Sequence, residues 1–283
     1  MAAIALGVAS SVLWGLSDYL GGLKSRTFPV PVVLAAMYLT SLTVMTLFIS
    51  ARGDGPPPAE AVLAALGAGL VGICGLAAFY RALAIGTMSI VAPIASTGVS
   101  IPVLVGLATG DAPGLVRAAG LGLAVVGIVC ASREDDGGAT DLREQRLSVG
   151  LAIVAGIGFG SYFVLAEFAS GEGVGWALLL SRVSALPLIG AFAFVALRRG
   201  GLRPRPRDLA VLAGIGMLDL GANLFYNHAT TIGELSSVAV ASSLYPVTTV
   251  LMAAILLGER VQGVQRVGVV VALAGVVMIA AGG

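Results

Sequence analysis

The sequence predicts an all-α polytopic membrane protein with ten transmembrane helices, arranged as two inverted five-helix repeats. Three observations predict this fold: the composition, the length of the apolar runs and an internal repeat. Of the 283 residues, 58% are hydrophobic and only 11% are charged, whereas an ordinary soluble domain is about 25% charged. The 40 glycines agree with this class, because glycine lets transmembrane helices approach one another closely. We therefore expect a multi-pass protein of the cell membrane.

The apolar runs define the individual spans. A helix needs about 20 predominantly apolar residues to cross the hydrocarbon core, and inside that core each backbone group must be satisfied within the helix. The first run has no Lys or Arg before it and is longer than a signal-peptide core, so we expect it to be retained as a span. The predicted spans are 3–23, 30–50, 61–80, 87–109, 114–132, 148–169, 174–197, 208–228, 234–257 and 263–281.

Two similar phrases, FYRALAIG from Phe79 and FYNHATTIG from Phe225, indicate the internal repeat. Aligning the two parts predicts a first repeat at 1–132, a polar linker at 133–147 and a second repeat at 148–283. Since five is odd, the second copy would cross the membrane in the opposite direction. Inverted repeats are typical of secondary transporters, whose substrate sites lie near the bilayer midplane between the repeats.

Small residues and prolines give two further expectations about the spans. Glycine and alanine at three- and four-residue spacing predict close packing of spans five and ten, and these residues are Gly120, Ala124, Gly127, Gly268, Ala272 and Gly275. Prolines that interrupt the corresponding spans four and nine indicate moving, substrate-facing helices, and these are Pro93, Pro102 and Pro246.

In span one, Trp14 and Asp18 lie one helical turn apart and therefore share a face. An ionised side chain at the centre of a membrane helix costs about 2.5–3.5 kcal/mol, so a retained carboxylate needs a reason. This face predicts a cavity wall with an aromatic platform and a carboxylate. The alternative is that Asp18 pairs with Arg81 near the end of span three or reaches interfacial water.

Span eight carries the clearest polar stripe, because Asp219, Asn223 and Tyr226 are spaced by four and three residues. Arg182 in span seven lies at a similar depth, at a helical rise of about 1.5 Å per residue. Two readings remain open for this pair. It is either a buried structural ion pair or a substrate or proton site, and the two coexist if substrate displaces one partner.

The remaining candidates are weaker. Tyr80 and Tyr226 recur in the two repeated phrases and Tyr162 faces the aromatic region of span one, although tyrosines at span ends are often interfacial anchors. Glu167 closes span six as a coupling candidate or an interfacial carboxylate. The substrate-binding candidates are Trp14, Asp18, Tyr80, Ser96, Tyr162, Asp219, Asn223 and Tyr226. The candidates for ion pairing or coupling are Arg81, Glu167 and Arg182.

Motifs for catalysis and cofactors are not apparent. The stretch GAGLVG at 67–72 satisfies a dinucleotide-binding pattern, but it lies inside an apolar span and is expected to serve packing. A single histidine, His228, without a neighbouring Cys or carboxylate cluster predicts no metal site. We therefore expect no catalytic residue, metal, cofactor or nucleic-acid partner. The expected partners are a small-molecule solute, the lipid bilayer and protons or another coupling ion.

Three segments of different lengths resemble the EamA-type transporters of the drug/metabolite transporter superfamily. They are WG in span one, FYRALAIGTMSIVAPI across spans three and four, and SSLYPVTTVLMAAILLGERVQGVQRVGVVVALAGVVMI across spans nine and ten. The resemblance covers essentially the whole chain. It implies a carrier for small organic solutes, often an exporter, with a cavity built mainly from spans one, three, four, six, eight and nine.

These observations together predict a secondary transporter, an exporter of small polar or amphipathic metabolites such as amino acids, that works by alternating access. A passive channel and an intramembrane enzyme are the alternatives. The orientation has two conflicting readings. Most Lys and Arg lie in the loops on one side, which by the positive-inside rule places both termini outside, whereas the resemblance places them inside.

Overall fold

The structure, a computed structural model, describes residues 2–101, 105, 114–131, 142–171, 173–232, 238, 241, 242, 244–259 and 263–281. Within these ranges the regular structure is helical, which confirms the predicted all-helical class. The helices are α1 (Ala2–Ser25), α2 (Val30–Arg52), α3 (Ala59–Ile85), α4 (Met88–Ser96), α5 (Leu115–Ala131), α6 (Leu142–Ser170), α7 (Val174–Arg198), α8 (Pro206–Ile232), α9 (Tyr245–Leu256) and α10 (Gly263–Ala281). A single 3₁₀ turn at Thr97–Val99 follows α4.

Six of the described helices are long and apolar enough to cross a membrane, namely α1, α2, α3, α6, α7 and the Pro206–Ala229 part of α8. Shorter apolar helices lie at Ala118–Gly127, Tyr245–Leu256 and Arg266–Met278. Large apolar side chains such as Leu47 and Leu63 are exposed, as expected where lipid is the solvent. The protein is therefore a polytopic membrane protein.

Several predicted boundaries differ from the observed ones. Helix α6 begins at Leu142, so residues 142–147 of the expected linker are its first turns, while 133–141 lie outside the described residues. Most of the predicted span 87–109 beyond the 3₁₀ turn, including Pro102, also lies outside them, as does most of 234–244.

Proline and glycine mark several helix ends. Helix α2 follows Pro29 and ends at Gly53, whose positive φ of 69° lets its N–H donate to the Ile49 carbonyl. Pro93 lies inside α4, as predicted. Pro246 occupies the first turn of α9 instead of its interior, because a proline N–H is not needed at that position. Residues 238, 241 and 242 are helical and Leu244 lies in a turn, so the start of α9 agrees with the predicted interruption of span nine at Pro246.

Helices from the two parts of the chain interleave in one bundle. Helix α1 packs against α8 and α9, α2 against α7 and α8, and α3 against α6 and α7. Glycine permits some of these contacts, since a Cβ on Gly216 of α8 would lie 2.7 Å from the Met37 carbonyl oxygen of α2. The interior surface of helices α1–α3 is thus covered by helices from the second part of the chain.

Helices α5 and α10 form a close pair that also packs against α4. A Cβ on Gly275 would lie 2.6 Å from the backbone nitrogen of Ala124 and 2.8 Å from the Gly120 oxygen, and a Cβ on Gly127 would lie even closer to the Ala272 backbone. The predicted packing of spans five and ten through small residues is confirmed.

Candidate functional site

A cavity of about 90 Å³ lies inside the bundle. By this measure a single water occupies about 10–15 Å³, so the space suits several waters or a small solute. Two of its residues, Gly72 and Asp219, lie midway along α3 and α8, which places the cavity at mid-depth. The lining residues come from both parts of the chain and are Trp14, Asp18, Tyr38, Gly72, Leu76, Phe159, Tyr162, Phe163, Arg182, Asp219, Asn223 and Tyr245.

One wall of the cavity is an ion pair between α7 and α8. Arg182 Nη2 donates a 2.9 Å hydrogen bond to Asp219 Oδ2, and the guanidinium carbon lies 4.4 Å from the centre of the Tyr38 ring. The side-chain amide of Asn223 donates to the Asp219 backbone oxygen at 2.7 Å, and the Tyr162 hydroxyl donates to the Asn223 side-chain oxygen at 3.4 Å. The predicted Arg182–Asp219 pair is confirmed, and its opposite charges compensate one another away from water.

Aromatic rings surround Trp14 on another side of the cavity. The Trp14 ring centre lies 5.6 Å from that of Tyr226, 6.4 Å from that of Tyr245 and 6.5 Å from that of Phe163. These separations are within the range of favourable edge-to-face and tilted ring contacts. The predicted aromatic platform on α1 is therefore present and extends onto α6, α8 and α9.

Asp18 lies one turn from Trp14 on α1 and lines the cavity with 8% of its surface exposed. The alternative in which Asp18 pairs with Arg81 was wrong, because within the described ranges no ion pair joins the two residues and Arg81 is exposed. The neighbouring side chain on α3, Tyr80, points inward and is fully buried. Successive side chains on a helix are about 100° apart, so Arg81 points outward.

Tyr80 closes the cavity toward the end of α1 and does not line it. Its hydroxyl donates to the Ser17 backbone oxygen at 3.3 Å, and its ring occupies the space beside Gly21. One turn further, Leu83 and Met88 fill the space beside Gly22. Apolar packing therefore separates Asp18 from this end of the bundle.

Beyond this packing lies a polar group of residues that we call the Glu259 latch, made of Arg26, Met88, Ser89 and Glu259. Glu259 Oε1 accepts from the Met88 N–H at 3.3 Å and from Arg26 Nη2 at 3.4 Å, and Oε2 accepts from the Ser89 N–H and hydroxyl at 3.1 Å. The carboxylate thus caps the N-terminus of α4, where the helix dipole favours negative charge. The latch ties the segment after α9 to the ends of α1 and α4.

Other sequence-predicted residues lie outside the cavity wall. Ser96 is buried, and its hydroxyl donates to the Pro93 carbonyl oxygen of its own helix at 2.8 Å. Tyr226 does not line the cavity but packs on two of the lining rings, those of Trp14 and Phe163. Glu167 is exposed near the end of α6. Among the described residues, no group of three His, Cys, Asp or Glu side chains is placed to hold a metal ion.

Sequence reasoning missed several lining residues. The resemblance implied a cavity built mainly from spans one, three, four, six, eight and nine. Spans two and seven nevertheless contribute Tyr38 and the predicted Arg182, while the described part of span four contributes none of the lining residues. Tyr38 is one of seven polar residues in α2, and the sequence alone does not show which of them turns toward the cavity. Phe159, Phe163 and Tyr245 were not selected either, because aromatic residues in a membrane helix face lipid as readily as a cavity.

A helical membrane bundle with an ion pair and aromatic rings around a mid-depth cavity defines a class of polytopic proteins that accommodate small solutes. The family model of the EamA-like transporter family matches residues 1–133 and 146–281, and the chain belongs to this family. The resemblance drawn from the sequence is thereby confirmed.

Two further comparisons give less information. A solved structure described only as "Crystal structure of protein" is 15% identical, covers 98% of this chain and 96% of its own, and has a TM-score of 0.65. This similarity supports the fold alone. A search of curated proteins finds no significant match.

Proposed function

We propose that this protein is a secondary transporter of the cell membrane that exports small polar or amphipathic metabolites such as amino acids. In this proposal ten transmembrane helices form two inverted five-helix repeats, one at 1–132 and one at 148–283. Substrate binds in the central cavity between them and reaches the two sides of the membrane in turn. The substrate gradient, protons or another ion supply the driving force.

The observation that carries the proposal is the composition of the cavity wall. A guanidinium, two carboxylates and an amide lie at mid-depth in a bundle whose outer surface is apolar. Charged groups within a membrane are costly and mark substrate or ion pathways. Residues from α1–α3 and from α6–α9 contribute to the same wall, which agrees with a site between repeats that move relative to one another.

The Glu259 latch supports the alternating-access part of the proposal. Its hydrogen bonds join three segments at the end of the bundle where α1 and α3 end and α4 begins. These contacts are few, polar and only partly buried, so they break at lower cost than the packed helix interfaces. We propose that this end is a gate and that the structure represents its closed state.

A counterflow assay in proteoliposomes tests the function. We expect preloaded unlabelled solute to stimulate uptake of the same labelled solute, for at least one member of an amino-acid and amine panel. Asp219→Asn should weaken this stimulation, whereas Asp54→Asn, at an exposed loop carboxylate paired with Arg52, should retain it in full. Flux that does not saturate and shows no counterflow would indicate a channel, and conversion of solute to product would indicate an enzyme.

Two variations of the counterflow assay test the direction of transport and its coupling to protons. Accumulation in everted vesicles but not in right-side-out vesicles is expected for an exporter. Imposing a pH gradient tests proton coupling, and a coupling role for Asp18 or Asp219 requires that its Asn variant lose the dependence on the gradient. Proton dependence retained in both variants would contradict such a role.

A further inference from the structure

We infer that the cavity contains a subsite for a cationic amine, formed by the Asp18 carboxylate and the aromatic rings beside it. The inference rests on the proposed transport function and names the class of substrate that function would serve: organic monocations with a primary or quaternary amine. The argument depends on charge balance, on the burial of Asp18 and on the surrounding rings.

The charges that line the cavity do not cancel. Its ionisable lining consists of Asp18, Asp219 and Arg182, besides three tyrosines. Arg182 already bonds to Asp219 at 2.9 Å, so these two charges compensate one another. This leaves the Asp18 carboxyl group in the wall without a counter-charge.

Asp18 is also without a partner of its own. Its surface is only 8% exposed, yet within the described part of the chain no hydrogen bond or ion pair reaches its carboxylate. A buried carboxylate is strongly disfavoured unless a positive charge or hydrogen-bond donors compensate it. Because Asp18 lines the cavity, a bound cation would supply the missing charge.

The rings around this position suit an organic cation. Trp14 lies one turn from Asp18 on the same helix, and Tyr245 also lines the cavity, with its ring centre 6.4 Å from that of Trp14. Aromatic faces attract ammonium groups, most strongly when the contact is desolvated, and tryptophan is the best of them. Tyr38 plays the corresponding part for the guanidinium of Arg182, at 4.4 Å.

The same geometry disfavours a second charge of opposite sign on the substrate. Among the described lining residues Arg182 is the sole cation, and it is 3% exposed and bonded to Asp219. A substrate carboxylate would have to displace Asp219 to reach it. A monocationic amine should therefore bind more tightly than the zwitterion of similar shape.

Choline and its neutral isostere 3,3-dimethylbutan-1-ol provide a matched pair of probes, since they differ only in the charged nitrogen. Competition against radiolabelled choline, with the full-length protein in detergent, measures both. We expect the isostere to compete at least about tenfold more weakly than choline, because it forms neither the ion pair nor the cation–π contact. Tyramine should likewise compete about tenfold better than tyrosine.

Variants of Asp18 assign the site. Asp18→Asn should weaken choline binding about tenfold or more while leaving the isostere unchanged, Asp18→Glu should restore part of the affinity, and the control Asp54→Asn should bind as the wild type does. The inference is overturned if the isostere matches choline, if Asp18→Asn binds choline normally, or if neither choline nor tyramine binds the wild type. Counterflow of a zwitterion that is insensitive to Asp18→Asn would overturn it while leaving the transport function intact.

Discussion

Arg182 Nη2 and Asp219 Oδ2 lie 2.9 Å apart in the wall of the central cavity and join α7 to α8. The arginine side chain is 4% exposed and the aspartate side chain 15% exposed, so the carboxylate is the more accessible partner. Removing one member of a buried pair leaves the other uncompensated, which costs more than replacing both with apolar groups. A paired Arg182 and Asp219 should therefore show a double variant that is less destabilised than the sum of the two single variants, whereas two independent charges should not.

Asp219→Leu should lower the free energy of unfolding by about 3–5 kcal/mol, because it leaves the Arg182 guanidinium buried without a counter-charge. Arg182→Leu should cost less, since Asp219 still reaches the cavity. The double variant should be more stable than Asp219→Leu. Equilibrium unfolding in mixed micelles measures all three, and costs that simply add in the double variant would contradict the pairing.

Tyr38 provides a test of the contact on the other side of the guanidinium. Tyr38→Phe keeps the ring that lies 4.4 Å from the Arg182 guanidinium and should retain wild-type stability. Tyr38→Leu removes the ring face and should cost about 1–2 kcal/mol for a desolvated cation–π contact. Equal effects of the two substitutions, measured in the same unfolding assay, would show that the ring face is unimportant.

The α5–α10 interface predicts a strong dependence on side-chain size. Gly275→Ala would place a Cβ 2.6 Å from the Ala124 nitrogen, and the resulting overpacking should cost about 1–3 kcal/mol. Gly122→Ala, on α5 where nothing lies within 4 Å, should be neutral or stabilising by up to about 1 kcal/mol. A comparable loss for both variants, in thermal or micellar unfolding, would argue against the close approach.

The sequence predicted those parts of the fold and the site that depend on the length or the spacing of residues within single helices. Apolar length predicts helices, small residues at helical spacing predict the α5–α10 contact, and matching depths predict the Arg182–Asp219 pair. Asp18 shows the limit of such reasoning. Depth alone made Arg81 a plausible partner, but the rotation of α3 about its own axis turns Tyr80 inward and Arg81 outward.

Other features of the site depend on tertiary packing that a single sequence does not encode locally. Tyr38 and Tyr245 line the cavity because of how α2 and α9 are rotated against their neighbours. In the latch, Glu259 bonds to residues at least 170 positions away, and the sequence marks its Gly-Glu segment only as part of the family resemblance. Residue spacing reveals neighbours on one helix, and it cannot reveal that Glu259 caps the N-terminus of α4.

The most direct test of alternating access is the reactivity of a cavity cysteine from each side of the membrane. Leu76→Cys places the probe in the cavity wall after the free Cys74 and Cys130 have been replaced by serine. Impermeant thiol reagents are applied to right-side-out and everted vesicles, with and without Glu259→Ala. Glu60→Ala, an exposed carboxylate at the start of α3, is the control and should change neither rate.

Glu259→Ala removes several hydrogen bonds to a charged group, which corresponds to a shift of about tenfold in the equilibrium between the two facing states. The account predicts that reactivity rises from the latch end and falls from the opposite end. Rates that rise together from both ends, or that stay unchanged, would contradict a cavity that opens to the two sides in turn.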